Sequence, residues 1–226
     1  MTSEQITVGP GFEFTLTHAP RRTGGHRLQL FVKHGLDRAA AAILLTLALP
    51  LFLVIVVAIR LTSSGPVFYR QERPGLHGRL FKMWKFRTMV VGAEHRLPEV
   101  LHLHRNQPLF PKLPDDPRVT RVGGFLRKYS LDELPQLFNV LSGDMSLVGP
   151  RPHQVGEVAL YGPRERGRLR VRPGLTGLWQ VSGRSALPWE TSLALDLAYI
   201  EEWSLATDLR ILLRTPLAVL RGDGAY

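Results

Sequence analysis

AAAAILLTLALPLFLVIVVAI, residues 39–59, carries no charge between Arg38 and Arg60. Roughly 20 helical residues cross a hydrocarbon core, and helices buried in soluble proteins are usually shorter, so this run reads as membrane-embedded. A cleaved signal peptide is disfavoured, because the preceding region is too long and no small-residue cleavage site follows. Pro50 sits at the midpoint, where it removes a backbone donor and kinks the helix. The flanks choose no side of a membrane. Arg21, Arg22, Arg27, Lys33 and Arg38 come before the run, and Arg60, Arg70, Arg73 and Arg79 come after it. Spanning helices tend to be asymmetric in Lys and Arg, with the excess in the cytoplasm. Basic residues at both ends suit a hairpin that enters and leaves on the cytoplasmic face, with a kinked spanning helix as the alternative.

The chain of 226 residues is the size of one ordinary domain with room for an appendage, and its 44% apolar residues are enough for a core. A formal charge of +10 predicts an anionic partner: nucleic acid, a phospholipid surface or a phosphorylated small molecule. The absence of cysteine excludes disulfides and cysteine-zinc sites. Three regions follow: a polar extension over 1–32, expected to be disordered; a membrane helix over 33–62 bent at Pro50; and the main domain over 63–226. SGPVFYRQERPGLHGRLFKMWKFRTM (64–89) reads as a β-hairpin with its turn at Pro74–Gly78. Its aromatic and basic residues also suit a membrane interface. The HLH triplet at 102–104 lacks further ligands nearby and is expected at the surface.

SLDELPQLFNVLSGDMSLVGPRP (130–152) sets Asp132 beside Glu133 just ahead of an apolar helical pattern, Leu134, Leu137, Phe138 and Leu141, that Gly143 would stop. Ser130 and Glu133 have capping-box spacing, which would make the acids a helix cap. Pro135 fits best in a first turn, so the helix could equally start nearer Asp132. Adjacent helical residues point about 100° apart, which rules out a glycosidase-type carboxylate pair. In phosphate chemistry one carboxylate can attack phosphorus while its neighbour holds Mg²⁺. Arg118, Arg121, Arg127 and Lys128 stand just before the acids, and Arg151 is locked between Pro150 and Pro152. A guanidinium on a stiff loop suits bidentate phosphate recognition. VRPGLTGLWQVSGR (171–184) adds Arg172 and Arg184 in an expected surface loop.

The ordered series GPVFYRQERPG, FKMWKFRTM, DPRVTRVGGFLRKYSLDELPQLFNVLSGDMSLVGPRP and VRPGLTGLWQVSGR resembles the bacterial sugar transferase family, the monotopic phosphoglycosyl transferases. The match runs from about Lys33 to the C-terminus. The resemblance implies an α+β fold: a re-entrant membrane helix bent at Pro50, a small β-hairpin, and amphipathic surface helices around a catalytic core. That core, residues 63–226, would lie on the cytoplasmic face of the bacterial inner membrane. LATDLRILLRTPLAVLR (205–221) is a candidate for a surface helix. The resemblance also implies transfer of a sugar-1-phosphate from a UDP-sugar to undecaprenyl phosphate, with release of UMP. Asp132 would then be the nucleophile, Glu133 the residue associated with Mg²⁺, and Arg127 and Arg151 the phosphate-binding cations. The family's membrane-entry motif, Lys-Arg-x-Phe-Asp, reads KHGLD at 33–37, keeping Lys33 and Asp37 but not the Arg or Phe. The GLWQVSGRS loop and the RGDGAY terminus resemble members that transfer galactose- or glucose-1-phosphate. The larger members carry further N-terminal membrane helices, so the chain resembles the small catalytic form. A homo-oligomer stays open. A non-catalytic protein binding anionic lipid through basic loops is the alternative, and nucleic-acid binding has no motif to support it.

Overall fold

The computed structural model describes residues 4–7, 13–16, 26–96, 116–184 and 187–221. Helix α1 (His26–Thr62) takes in the whole apolar segment, with Pro50 inside it. Its start lies ahead of the boundary expected at residue 33, because Leu28, Leu30, Phe31 and Val32 continue the helix before Lys33. The expected disordered extension also contains a short antiparallel pair, β1 (Glu4–Thr7) and β2 (Glu13–Leu16), with Ile6 opposite Phe14. β-Branched and aromatic residues favour extended backbone there.

At 1.5 Å per residue α1 is about 55 Å long, well beyond the roughly 30 Å of a hydrocarbon core. One stripe of it is buried: Lys33, Asp37, Ala41, Phe52, Ile55 and Ile59. Leu45 and Ala48 fill the interval, half-buried, so the spacing of three and four residues is kept from end to end. The opposite face exposes Ile43, Leu47, Leu53, Val54 and Val57. Both halves of the helix therefore lie against the rest of the protein, while the remaining surface is apolar in the way a lipid-facing helix requires.

The two halves of α1 enter two different cores. The second half packs Phe52, Ile55 and Ile59 on Val67, Phe86 and Leu126, the last from α2 (Arg121–Lys128). The first half joins Leu137 and Val140 of α3 (Gln136–Ser142) and Leu147 of a short strand at Ser146–Val148. Beyond that strand, α4 (Val155–Ala159) is closed by a capping box between Gln154 and Glu157. The first core is completed by Leu178 of α5 (Leu178–Ser182), Leu195 of α6 (Trp189–Glu201) and Ile211 of α7 (Leu205–Arg221). Full burial of each such side chain stabilises by roughly 1.5–3 kcal/mol.

The expected hairpin is present as β3 (Phe68–Pro74) and β4 (Leu80–Phe86), joined by a 3₁₀ turn at Leu76–Gly78. Its register sets Phe68 opposite Phe86 and Tyr69 opposite Lys85. Residues opposite one another share a face, so Phe86 enters the second core while Lys85 and Tyr69 stand on the other side. The stretch expected as a surface loop instead supplies β6 (Gly174–Thr176), paired in parallel with β5 (Ser146–Val148). Gly174 allows this: a Cβ there would collide with the backbone of Gly149, so only glycine lets the two segments meet.

Candidate active site

The acids do not cap a helix. Ser130 is left-handed (φ 53°) and makes no side-chain cap bond, and Asp132 and Glu133 lie in a separate 3₁₀ turn, Leu131–Glu133. Helix α3 begins only at Gln136, after Pro135. A left-handed serine costs backbone energy. The turn it creates aims both carboxylates inward among cations.

Glu133 is held from two sides. Arg151 grips it with both terminal nitrogens, Nη2 donating to Oε1 at 2.6 Å and Nη1 to Oε2 at 3.1 Å. Lys85 Nζ donates to Oε1 at 2.8 Å. Burial opposes ionisation of Glu133, but Arg151 and Lys85 outweigh it and hold the carboxyl far below the usual range. Asp132 is as deeply placed and less well served. It is 7% exposed, and its Oδ2 stands 3.6 Å from Lys85 Nζ, an ion pair longer than a hydrogen bond. Burial pushes its carboxyl up. Lys85 pulls it back, the charge of Glu133 adds to the rise, and Arg127 and Arg151 lower it. Neighbouring carboxylates are thus split into one firmly ionised group and one poised group.

Arg127 is set by local packing. Thr120 caps α2 through its hydroxyl, and Gly123 lies so close to Thr88 that a Cβ would strike the Thr88 carbonyl. That approach lets Arg127 Nε donate to Thr88 Oγ1 at 2.9 Å, beside Asp132. Arg118 does not join it on the acids: it makes a bidentate pair with Asp116. The Pro-Arg-Pro loop is braced from behind by Arg168, which donates from Nη2 to the Arg151 carbonyl at 3.0 Å and is paired with Asp196 at 2.7 Å and with Tyr161 Oη.

The structure thus brings Asp132, Glu133, Arg127 and Arg151 together. Lys33, Asp37 and Pro50 lie elsewhere. Lys33 Nζ donates to Asp208 Oδ2 at 2.6 Å and to the Val148 carbonyl at 3.2 Å. Asp208 also accepts from Tyr199 and Trp203, and Asp37 accepts from Ser146. This network fastens the N-terminal half of α1 to β5 and α7. Arg87 does the same at the far end, donating to the Ser63 and Ser64 carbonyls after α1. Sequence reasoning missed Lys85, Arg73 and Arg168. Lys85 stands within FKMWKFRTM, whose aromatic and basic residues point equally to a membrane interface. Its alternation with Phe86 is the signal that places it on the opposite face. Arg73 Nη1 donates to the Pro152 carbonyl at 3.2 Å, and burial with the charge of Arg151 pushes its pKa down to about 10. The HLH triplet and most of the RGDGAY terminus lie outside the described residues.

The acids open into a cleft of about 1300 Å³. Lys85, Arg127 and Arg151 line it, and so do the apolar side chains of Ile43 and Leu44 of α1 and of Leu212, Pro216 and Val219 of α7. A carboxylate pair among cations is chemistry suited to a phosphate ester, and the cleft that holds it is also lined by a helix of membrane length. Residues 28–222 match the bacterial sugar transferase family, and the chain belongs to it. It is 44% identical over 207 residues to the undecaprenyl-phosphate galactose phosphotransferase of Salmonella typhimurium, covering 88% of this chain and 43% of that protein. It is 43% identical to the exopolysaccharide production protein ExoY of Rhizobium meliloti, covering 92% of this chain and 94% of that one. It is 45% identical to the UDP-glucose:undecaprenyl-phosphate glucose-1-phosphate transferase of Caulobacter vibrioides, covering 86% and 72%. The chain therefore spans less than half of the Salmonella relative and nearly all of ExoY.

Proposed function

We propose that the protein is a phosphoglycosyl transferase that moves a hexose-1-phosphate from a UDP-sugar to undecaprenyl phosphate, releasing UMP, as the first membrane step of polysaccharide synthesis. One observation carries this reading: Asp132 is buried, stands beyond hydrogen-bonding distance of its Lys85 partner, and lines a cleft that also takes in cationic side chains and apolar side chains of α1 and α7. The named activities of the relatives support the substrate classes.

In the first step an Asp132 oxygen attacks the sugar-linked phosphorus, and the bond from that phosphorus to the bridging oxygen breaks. UMP leaves with the bridging oxygen, and a phosphosugar is left on Asp132. In the second step an oxygen of the acceptor phosphate attacks the same phosphorus, the bond to Asp132 breaks, and the carboxylate returns. Both steps bring an anion to an anion. Arg127 and Arg151 answer this by neutralising phosphate oxygens and the charge that develops in the transition state. Arg151 donates to Glu133 from its terminal nitrogens, and among the described residues its Nε–H has no acceptor. Lys85 keeps Asp132 within reach of its ionised form.

Asp132 and Glu133 are the hard oxygen donors that would hold Mg²⁺. Glu133 Oε2 accepts one hydrogen bond, from Arg151, so a lone pair on it would be available to the cation. When bound, Mg²⁺ supplies charge neutralisation on the diphosphate oxygens.

For topology, the preferred reading is a re-entrant α1, with both its ends at the cytoplasmic face of the bacterial inner membrane. Both halves of α1 pack on the same catalytic region, so a straight crossing would drag that region into the hydrocarbon. The polyprenyl chain would then lie along the apolar lining that α1 and α7 give the cleft. The direct test is UMP release by the full chain in nanodiscs, screened across UDP-sugars with undecaprenyl phosphate. No UMP from any UDP-sugar by folded protein would refute the reading.

A further inference from the structure

At the start of the apolar segment two cations converge. Arg38 is the last charged residue before it, and Arg172 comes from the loop leading into β6. Gly143, left-handed at the end of α3 (φ 87°), lies beneath both: a Cβ on it would sit 2.5 Å from Arg38 Nη2 and 3.8 Å from Arg172 Cζ. Both guanidiniums therefore crowd one spot that is open only because position 143 is glycine. Two acids stand near the pair, and among the described residues neither makes an ion pair with it. Asp144, next to Gly143, accepts from the Ser142 hydroxyl at 2.7 Å. Asp37, one residue before Arg38, is taken by Lys33 and Ser146. Arg38 Nε donates to the Leu141 carbonyl at 3.3 Å, a neutral acceptor in the last turn of α3.

We propose that Arg38 and Arg172 form a binding site for the phosphodiester headgroup of an anionic phospholipid, seated over Gly143 where α1 enters the membrane. Like charges held side by side repel, and an anion between them converts that repulsion into two charge-assisted interactions. Planar guanidiniums match phosphate oxygens in bidentate geometry. Burial and the charge of Arg38 lower the pKa of Arg172 more than Asp37 and Asp144 raise it, a balance that a bound anion would reverse. The position selects a lipid over a free anion. Ala39 begins the uncharged run, so the pair sits at headgroup depth. Leu36, exposed on α1 just before Arg38, adds apolar surface beside it. The other end of α1 offers a contrast. There Arg87 lies near Arg60, but both its terminal nitrogens donate to the Ser63 and Ser64 carbonyls and the Ser63 hydroxyl. Among the described residues the entry pair keeps most of its donors for a ligand.

This site requires α1 to lie in a membrane and is independent of the transfer chemistry. Its test uses the full chain in neutral detergent, titrated with phosphatidylglycerol or phosphatidylcholine and followed by native mass spectrometry. The wild type is expected to retain one phosphatidylglycerol in preference to phosphatidylcholine. Arg38→Gln, at an exposed position that leaves the fold intact, and the double variant with Arg172→Gln are expected to lose that retention by about tenfold or more. Equal retention by wild type and variants, or equal retention of the two lipids, overturns the proposal. Displacement of the lipid by excess inorganic phosphate would make this a free-anion site and overturns the lipid assignment. Flotation with phosphatidylcholine vesicles reports insertion separately. A chain that floats but shows no lipid preference sinks this inference alone, and a chain that does not float sinks the membrane reading with it.

Discussion

Asp132 and Glu133 are neighbours in the chain with opposite electrostatic fates, and the difference lies in how closely cations approach each. Glu133 takes three hydrogen bonds from Arg151 and Lys85, whereas the ion pair of Asp132 with Lys85 is 3.6 Å long. Asp132→Asn keeps the shape of the turn and removes the attacking anion. It is expected to abolish both UMP release and the phosphosugar adduct, and a folded variant with near-normal release would return the acid pair to a structural role. The raised pKa of Asp132 sets a pH dependence. Protonation removes the nucleophile, and a group raised by burial takes up its proton sooner as pH falls. The acid limb of kcat/KM should therefore lie above the usual aspartate range, and it is read from a pH–rate profile. Lys85→Gln removes the cation shared by both acids. A loss of about 10²–10³-fold in kcat is expected, with the folded state kept, as judged by circular dichroism.

At the scale of elements, the site depends on close approaches that only glycine permits and on how α1 is seated. Gly123 brings α2 against Thr88, and through that contact sets Arg127 beside Asp132. Pro50 lies within the part of α1 that packs on the second core, between Ala48 and Phe52. Pro50→Leu restores a backbone donor at the midpoint and should move part of the population to a spanning arrangement. Cysteines placed at Thr2 and Tyr226 should resist external labelling in the parent chain, and labelling at Thr2 alone should appear in the variant. External labelling at Thr2 in the parent chain would establish a spanning helix instead.

For the whole molecule, one cleft is lined by cationic side chains and by apolar side chains of α1 and α7, so donor and acceptor would meet within it. The donor is expected to be UDP-galactose or UDP-glucose in preference to N-acetylated sugars, in keeping with the names of the relatives. Competition between these donors in the UMP-release assay decides it, and turnover with only an N-acetylated donor would overturn it.

The apolar run at 39–59, the hairpin around Pro74–Gly78, the helix after Leu134 with its stop at Gly143, and the acid pair are all legible in order along the chain. Each is a local pattern: uninterrupted hydropathy, alternation, a turn residue or a motif. The fates of the acids are not legible in this way. Ser130 and Glu133 have the spacing of a capping box, and only the packed structure puts Ser130 in a left-handed turn and Arg151 and Lys85 on Glu133, from residues 18 and 48 positions away in the chain. The glycine-rich stretch at 174–177 reads as a loop because its reason for glycine, the backbone of Gly149, comes from another segment. Local propensity is a property of neighbours in sequence. Charge partners and close backbone approaches are properties of neighbours in space, and the tertiary fold alone creates them.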